Sequence, residues 1–130
     1  VPILLAAKDG SCVAAIHAGW RGLAAGVIEE TVKCLPVPTA ELVAVIGPCI
    51  GATAYTVGCE VIQQLQASDV QPVFTGIYLD LKATSCSHLG ALGCLKCISI
   101  SKTCTFLNSK KFYSYRDQGP TGRFAAIIAV

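Results

Sequence analysis

The sequence predicts an α/β fold, a mixed β-sheet with helices packed on it, formed by residues 1–130 as one incomplete domain. Three observations carry that expectation. Apolar runs of strand length recur along the chain, stretches with helical spacing lie between them, and Gly, Pro and Asp punctuate the joins.

Val1 to Ala7 is a continuous apolar run, and Lys8-Asp9-Gly10 then reads as a tight hairpin turn. Ser11 to Ile16 resumes as a second buried strand. Beyond His17-Ala18-Gly19-Trp20-Arg21-Gly22, apolar residues recur at Ala24, Val27, Ile28, Thr31, Val32 and Leu35. That spacing predicts one helix, with Glu29, Glu30 and Lys33 facing away, ended by Pro36 and Pro38. Leu42 to Ile46 is a third strand and breaks at Gly47-Pro48-Cys49-Ile50-Gly51. A short helix from Gly58 to Ala67 presents Val61, Ile62 and Leu65 on one face. Asp80 is placed to cap a helix running through Leu92 and closed by Gly93, although Thr84, Ser85 and Ser87 are weak helix formers. Ile98 to Ser101 and Phe112 to Tyr115 read as short strands, and Phe124 to Val130 as a central buried one.

Charged residues make up 14% of the chain and hydrophobic ones 53%, against about 25% charged in an average soluble domain. Apolar surface is therefore expected to need a cover. The absence of Met and a start inside an apolar run suggest a piece of a longer protein. The net charge is +2 and only Lys110-Lys111 adjoin, so no nucleic-acid footprint appears. No apolar run approaches membrane-spanning length. Most of the eight cysteines sit in apolar stretches, as in Cys12-Val13-Ala14, which predicts free thiols and a reducing, cytoplasmic setting.

The turn from His17 to Gly22 is the most informative stretch. A strand that ends in glycines and enters a helix presents unpaired N–H groups to an anion. Arg21 adds a planar fork for phosphate or carboxylate, and His17 is suited to ligate a metal or move a proton. A packed histidine beside a helix-capping arginine explains the same residues. The three arginines, Arg21, Arg116 and Arg123, all lie beside glycine or aromatic residues, a setting that suits anion recognition. Cys49 in its Gly-Pro-Cys-Ile-Gly turn is a candidate nucleophile with His17 as base. Cys94-Leu95-Lys96-Cys97, with Cys86 and His88 nearby, has a metal-ligand interval but no second pair at ribbon spacing.

His17-Ala18-Gly19-Trp20-Arg21-Gly22 followed by Gly26 resembles the signature of the purine nucleoside phosphorylases once described as multicopper polyphenol oxidoreductases, or laccase-domain proteins. A bacterial branch is described as a peptidoglycan editing factor. The likeness continues through Ile46 to Gly51, Tyr55 with Val57-Gly58, Tyr78-Leu79-Asp80, Cys104-Thr105, Phe112 to Arg116, and Gly122-Arg123. It covers essentially the whole chain.

The resemblance implies the C-terminal part of a domain that binds one zinc through two histidines and a cysteine, with copper also attributed to the family. His17 matches one ligand; the other two would lie upstream of Val1. It implies phosphorolysis of purine nucleosides with phosphate, and possible adenosine deamination. Arg21, Cys49 and Arg116 would be catalytic, and Gly19, Gly22, Tyr115 and Arg123 would join Arg21 in binding substrate. A zinc- or Cys-dependent amide hydrolase of peptidoglycan precursors, and a non-catalytic module pairing with another chain or copy, are the competing expectations. Thr56 stands where the family often has Glu, and Asp117 where a second Arg usually follows. The second change reverses a charge beside the anion site.

Overall fold

In a computed structural model, which describes residues 1–94 and 98–130, the first apolar run forms the strand around which the sheet is built. β1 (Pro2–Ala7) turns at Lys8 to Ser11 into β2 (Val13–His17). Asp9 holds that turn by accepting the Ser11 N–H at 2.9 Å, and Gly10 takes the left-handed φ of 75°. β1 also pairs antiparallel with β3 (Leu42–Ile46), and β3 pairs parallel with a late strand over Ile98–Ile100, giving the order β2-β1-β3-late strand. Register puts Ile3 opposite both Ile16 and Ile46, and Leu5 opposite both Ala14 and Ala44. Alternation then places Ile3, Leu5, Ala44 and Ile46 in the core, while Pro2, Leu4 and Val45 face the other way.

Four helices cover the core face. The predicted helix after Arg21 is two helices, α1 (Trp20–Ala24) and α2 (Val27–Lys33). Gly26 adopts a left-handed φ of 72° between them and ends the first ladder. Ile28 and Val32 keep the anticipated inward spacing, and Leu23, which that spacing did not include, is fully buried before the break. α3 (Cys59–Gln66) buries Val61 and Leu65. A two-residue hairpin, β4 (Phe74–Thr75) with β5 (Tyr78–Leu79), precedes α4 (Leu81–Ala91). Each fully buried aliphatic side chain stabilises the fold by about 1.5–3 kcal/mol.

Asp80 caps α4 as expected, accepting the Ala83 N–H at 2.9 Å, and Gly93 follows the helix with φ of 94°. The polar residues inside α4 are accommodated by bonds back along the helix. The Thr84 and Ser85 hydroxyls donate to the Asp80 and Leu81 carbonyls, each at 2.7 Å, and both side chains are fully buried.

Beyond β6 (Ile98–Ile100), two sequence expectations are corrected. Phe112 to Tyr115 is not a strand: Phe112 to Ser114 is irregular and Tyr115 opens α5 (Tyr115–Gln118). Ser114 carbonyl accepts the N–H groups of Asp117 and Gln118, turning the chain helically. Phe124 to Val130 is neither a strand nor buried, with Ile127 84% exposed and Val130 82%. A strand needs a hydrogen-bonding edge, and the start of this segment lies instead by the outer sheet face. There Phe124 and Ala126 share a cavity with Pro2, Leu4 and Val45, and Phe124 meets Phe112 edge to face at 5.6 Å. Cys12, Cys34, Cys49, Cys59, Cys86 and Cys104 are free thiols.

Candidate active site

His17 ends β2, paired with Pro2, and its Nε2 points toward Gly19. Gly22 packs on the His17 carbonyl, where an added Cβ would come within 3.2 Å. The two glycines thus let α1 begin hard against the strand end. Gly19 occupies the cap position without a side-chain bond, and α1 is five residues long. Its dipole is correspondingly small, which weakens the anion-holding role expected of the helix start itself.

Arg21 is exposed and lies over the Trp20 ring, its guanidinium carbon 4.3 Å from the centroid. Arg116, on α5, donates from one nitrogen to the Thr56 carbonyl at 3.0 Å and to the Thr56 hydroxyl at 3.2 Å. Its guanidinium lies 5.1 Å from the Tyr55 ring centroid. No carboxylate forms a salt bridge with either arginine among the described residues. Burial raises the Tyr55 phenol, and the charges of Arg116 and Arg21 oppose that rise without reversing it. Tyr55 therefore stays a neutral donor, beside the Arg116 guanidinium and within the field of Arg21.

Cys49, Tyr55, Tyr113, Ser114, Tyr115 and Arg116 line a cavity of about 310 Å³. A second, of about 180 Å³, adjoins it through Val1, Cys49, Thr105 and Tyr113, and adds His17 and Arg123. Cys49, Tyr115 and Arg116 thus come together, and His17, Cys49 and Arg123 do so next door. Arg21 reaches the group only through Tyr55. Arg123 donates to its neighbours' carbonyls, Thr121 at 2.6 Å and Gly122 at 2.9 Å.

Burial pushes the Cys49 thiol up to about 11, so at neutral pH it is protonated, and its Sγ donates to the Ile50 carbonyl at 3.1 Å. His17 is lowered from its usual value by burial, which leaves the imidazole neutral at pH 7. A neutral imidazole is the ligand form for a metal. Among the described residues, however, no three His, Cys, Asp or Glu side chains gather as a metal site. His17 is a single donor, and the residues of this chain alone do not fit the metal.

Of the second cysteine cluster, Cys97 lies outside the described residues. Cys94 is buried and its Sγ reaches the Leu42 carbonyl at 3.5 Å, while His88 lines a different cavity with Glu29, Glu30 and Asp69. Sequence reasoning did not single out Tyr55, Tyr113, Ser114 or Thr105 as site residues. The signal was available for all four, which lie inside stretches that carry the family likeness.

The family model described as multi-copper polyphenol oxidoreductase laccase matches residues 1–130. A purine nucleoside phosphorylase of Pseudomonas aeruginosa is 40% identical over 136 aligned residues, which cover 98% of this chain and 56% of the relative. One from Haemophilus influenzae is 39% identical, with 98% and 56% covered. The crystal structure of a Neisseria meningitidis protein is similar with a TM-score of 0.81 and 36% identity, over 93% of this chain and 52% of that one. The chain spans about half the length of the relatives it matches.

Proposed function

The chain belongs to the multi-copper polyphenol oxidoreductase laccase family, and from that premise we propose that it is the C-terminal part of a domain that cleaves purine nucleosides by phosphorolysis. What supports the reading is Arg116, which among the described residues has no carboxylate partner, at the wall of a cavity lined by Tyr55, Tyr113 and Tyr115, in a chain similar to relatives named purine nucleoside phosphorylases. Cationic forks hold phosphate, and phenol rings stack on a purine.

In the proposed reaction a phosphate oxygen attacks the ribose anomeric carbon. The glycosidic C–N bond breaks, its electron pair leaves with the purine, and ribose 1-phosphate forms. Arg116 and Arg21 hold the phosphate anion and Arg123 flanks it, while the backbone at Gly19 and Gly22 leaves room for Arg21's approach. Tyr115 faces the base. Pre-placed cations stabilise charge developing at the sugar and phosphate without reorganising. Cys49, a protonated thiol whose hydrogen is held by the Ile50 carbonyl, walls the site.

Zinc is proposed only as an ion to which His17 contributes one bond, its other donors coming from outside these residues. No step above passes through it. The chain alone is expected to lose zinc on dialysis against a mild chelator, because one imidazole does not fix the ion. Stoichiometric zinc after that treatment would overturn the single-ligand assignment.

The test of the reaction is hypoxanthine release from inosine. A protein of the relatives' length that contains these residues should release it only with phosphate, and the chain alone should not. Release without phosphate, or cleavage of a muramyl amide instead, would favour the hydrolase reading. The Cys49 thiol, held near 11, stands against a cysteine nucleophile in that alternative.

A further inference from the structure

Two cysteines that the reaction above does not need as a pair face one another across the loops that wall the cavity. Cys49 and Cys104 are partners in a parallel β-bridge, and the Thr105 N–H donates to the Cys49 carbonyl at 2.9 Å. Neighbouring strands lie about 4.8 Å apart, inside the usual Cα separation of a disulfide. The Gly51 N–H points at the Cys104 sulfur, 3.1 Å away. A Cβ at Gly51 would meet both Cβ and Sγ of Cys104 at 3.3 Å, so glycine lets the backbone donor come this close.

We propose that Cys104 and Cys49 form a peroxide-reactive dithiol, Cys104 being the attacking thiol and Cys49 the resolving one. The site would take hydrogen peroxide or a small organic hydroperoxide. The Cys104 thiolate attacks one peroxide oxygen, the O–O bond breaks, and hydroxide or alkoxide departs, leaving sulfenic acid on Cys104. Cys49 sulfur then attacks the sulfenyl sulfur; the S–O bond breaks, the Cys49 proton leaves with the oxygen as water, and a disulfide remains. The two thiols lose two electrons and the peroxide gains them.

The environments divide the roles. Burial works against ionising Cys104, but N–H groups of Leu107, Gly51 and Phe106, together with the Lys82 charge, outweigh it and hold the thiol below its ordinary value. Lys82 is fixed there by bonds of 2.7 Å to the Ser101 and Thr103 carbonyls. Cys49 is pushed the other way, to about 11. A thiol that ionises more readily beside one that ionises less readily is the arrangement in which the first reacts with peroxide and the second resolves. Cys49 lines the cavity, as does Thr105, the residue next to Cys104, which sets the pair at the cavity wall. The proposal does not depend on the phosphorolysis reading.

Peroxide titration of the chain, quenched by alkylation and followed by peptide mapping, tests it. The exposed thiols of Cys34 and Cys59 are internal controls. Expected is loss of both Cys49 and Cys104 from the alkylated set at peroxide levels that leave the controls alkylated, with a linked Cys49–Cys104 peptide that dithiothreitol reverses. Cys49→Ser should leave a dimedone-trapped sulfenic acid on Cys104, and Cys104→Ser should leave Cys49 reduced. Oxidation of the controls with Cys49 and Cys104 still alkylated would overturn the proposal. So would linkage of either cysteine to a different partner. Mapping of the unsubstituted chain decides the matter even if a variant misfolds.

Discussion

Arg21 and Cys49 show how neighbours set what a side chain can do. Arg21 is exposed, stacked on Trp20, and without a salt-bridge partner among the described residues, so its substitution should leave folding nearly intact. In a protein with the complete domain, Arg21→Lys should weaken phosphate-dependent turnover, because lysine keeps the charge but loses the planar fork. The loss should be about tenfold or more, the cost of one charge-assisted bond. Unchanged phosphate dependence in steady-state assays would remove Arg21 from the anion site. Cys49 governs a pH response. In the unfolded chain its thiol ionises near 9.0, and in the fold near 11. Between those values the unfolded chain holds fewer protons, so stability falls as pH rises, by roughly 2–3 kcal/mol in all. Cys49→Ala should flatten that stretch of the curve in urea melts at pH 8 to 11, relative to the parent chain, with any packing loss appearing equally at every pH. Neither environment was legible in the sequence. His17 and Arg21 stood out there by residue type and spacing, but the burial of Cys49 and the place of Tyr55 beside Arg116 come only from the packing.

Among the elements, those with a single period were legible: β3, α3 and α4 lie within a residue or so of where spacing and caps put them. α1 and α2 were merged because their apolar residues keep one helical spacing across Gly26, and the left-handed φ there is a backbone property that side-chain spacing does not record. β4 and β5, two residues each, are too short to show alternation. Thr84 makes a weak helix former useful. Its hydroxyl accepts the Val73 N–H at 2.9 Å while donating to the Asp80 carbonyl, joining the segment before the β4–β5 hairpin to α4. Thr84→Val should preserve volume and helix content but strand that N–H, costing about 1–3 kcal/mol. Thermal melts compared with Thr84→Ser, which keeps the hydroxyl, separate the lost bond from the lost methyl. Equal melting of the Val variant and the parent would show that the bond contributes nothing.

At the scale of the whole molecule, an apolar run proved to say little about its partner. Phe124 to Val130 has strand composition yet pairs with no strand, its first residues lying by the outer sheet face, and Leu107, Ile127 and Val130 are each more than two-thirds exposed. With Val45 also exposed on the outer face, such apolar surface should draw chains together. Light scattering after size exclusion should find the chain oligomeric or aggregating, and a well-dispersed monomer would contradict that. The sheet has a further consequence, in the order of assembly. The β1–β2 hairpin closes a short loop and forms in about 1–10 μs. The parallel pairing of Ala44 with Ile98 has to close a far longer one, and such contacts form late. The Cys49–Cys104 bridge continues that parallel ladder. The cavity wall is therefore among the last parts to form, and a folding intermediate that holds the hairpin but lacks the last strand has no site at all.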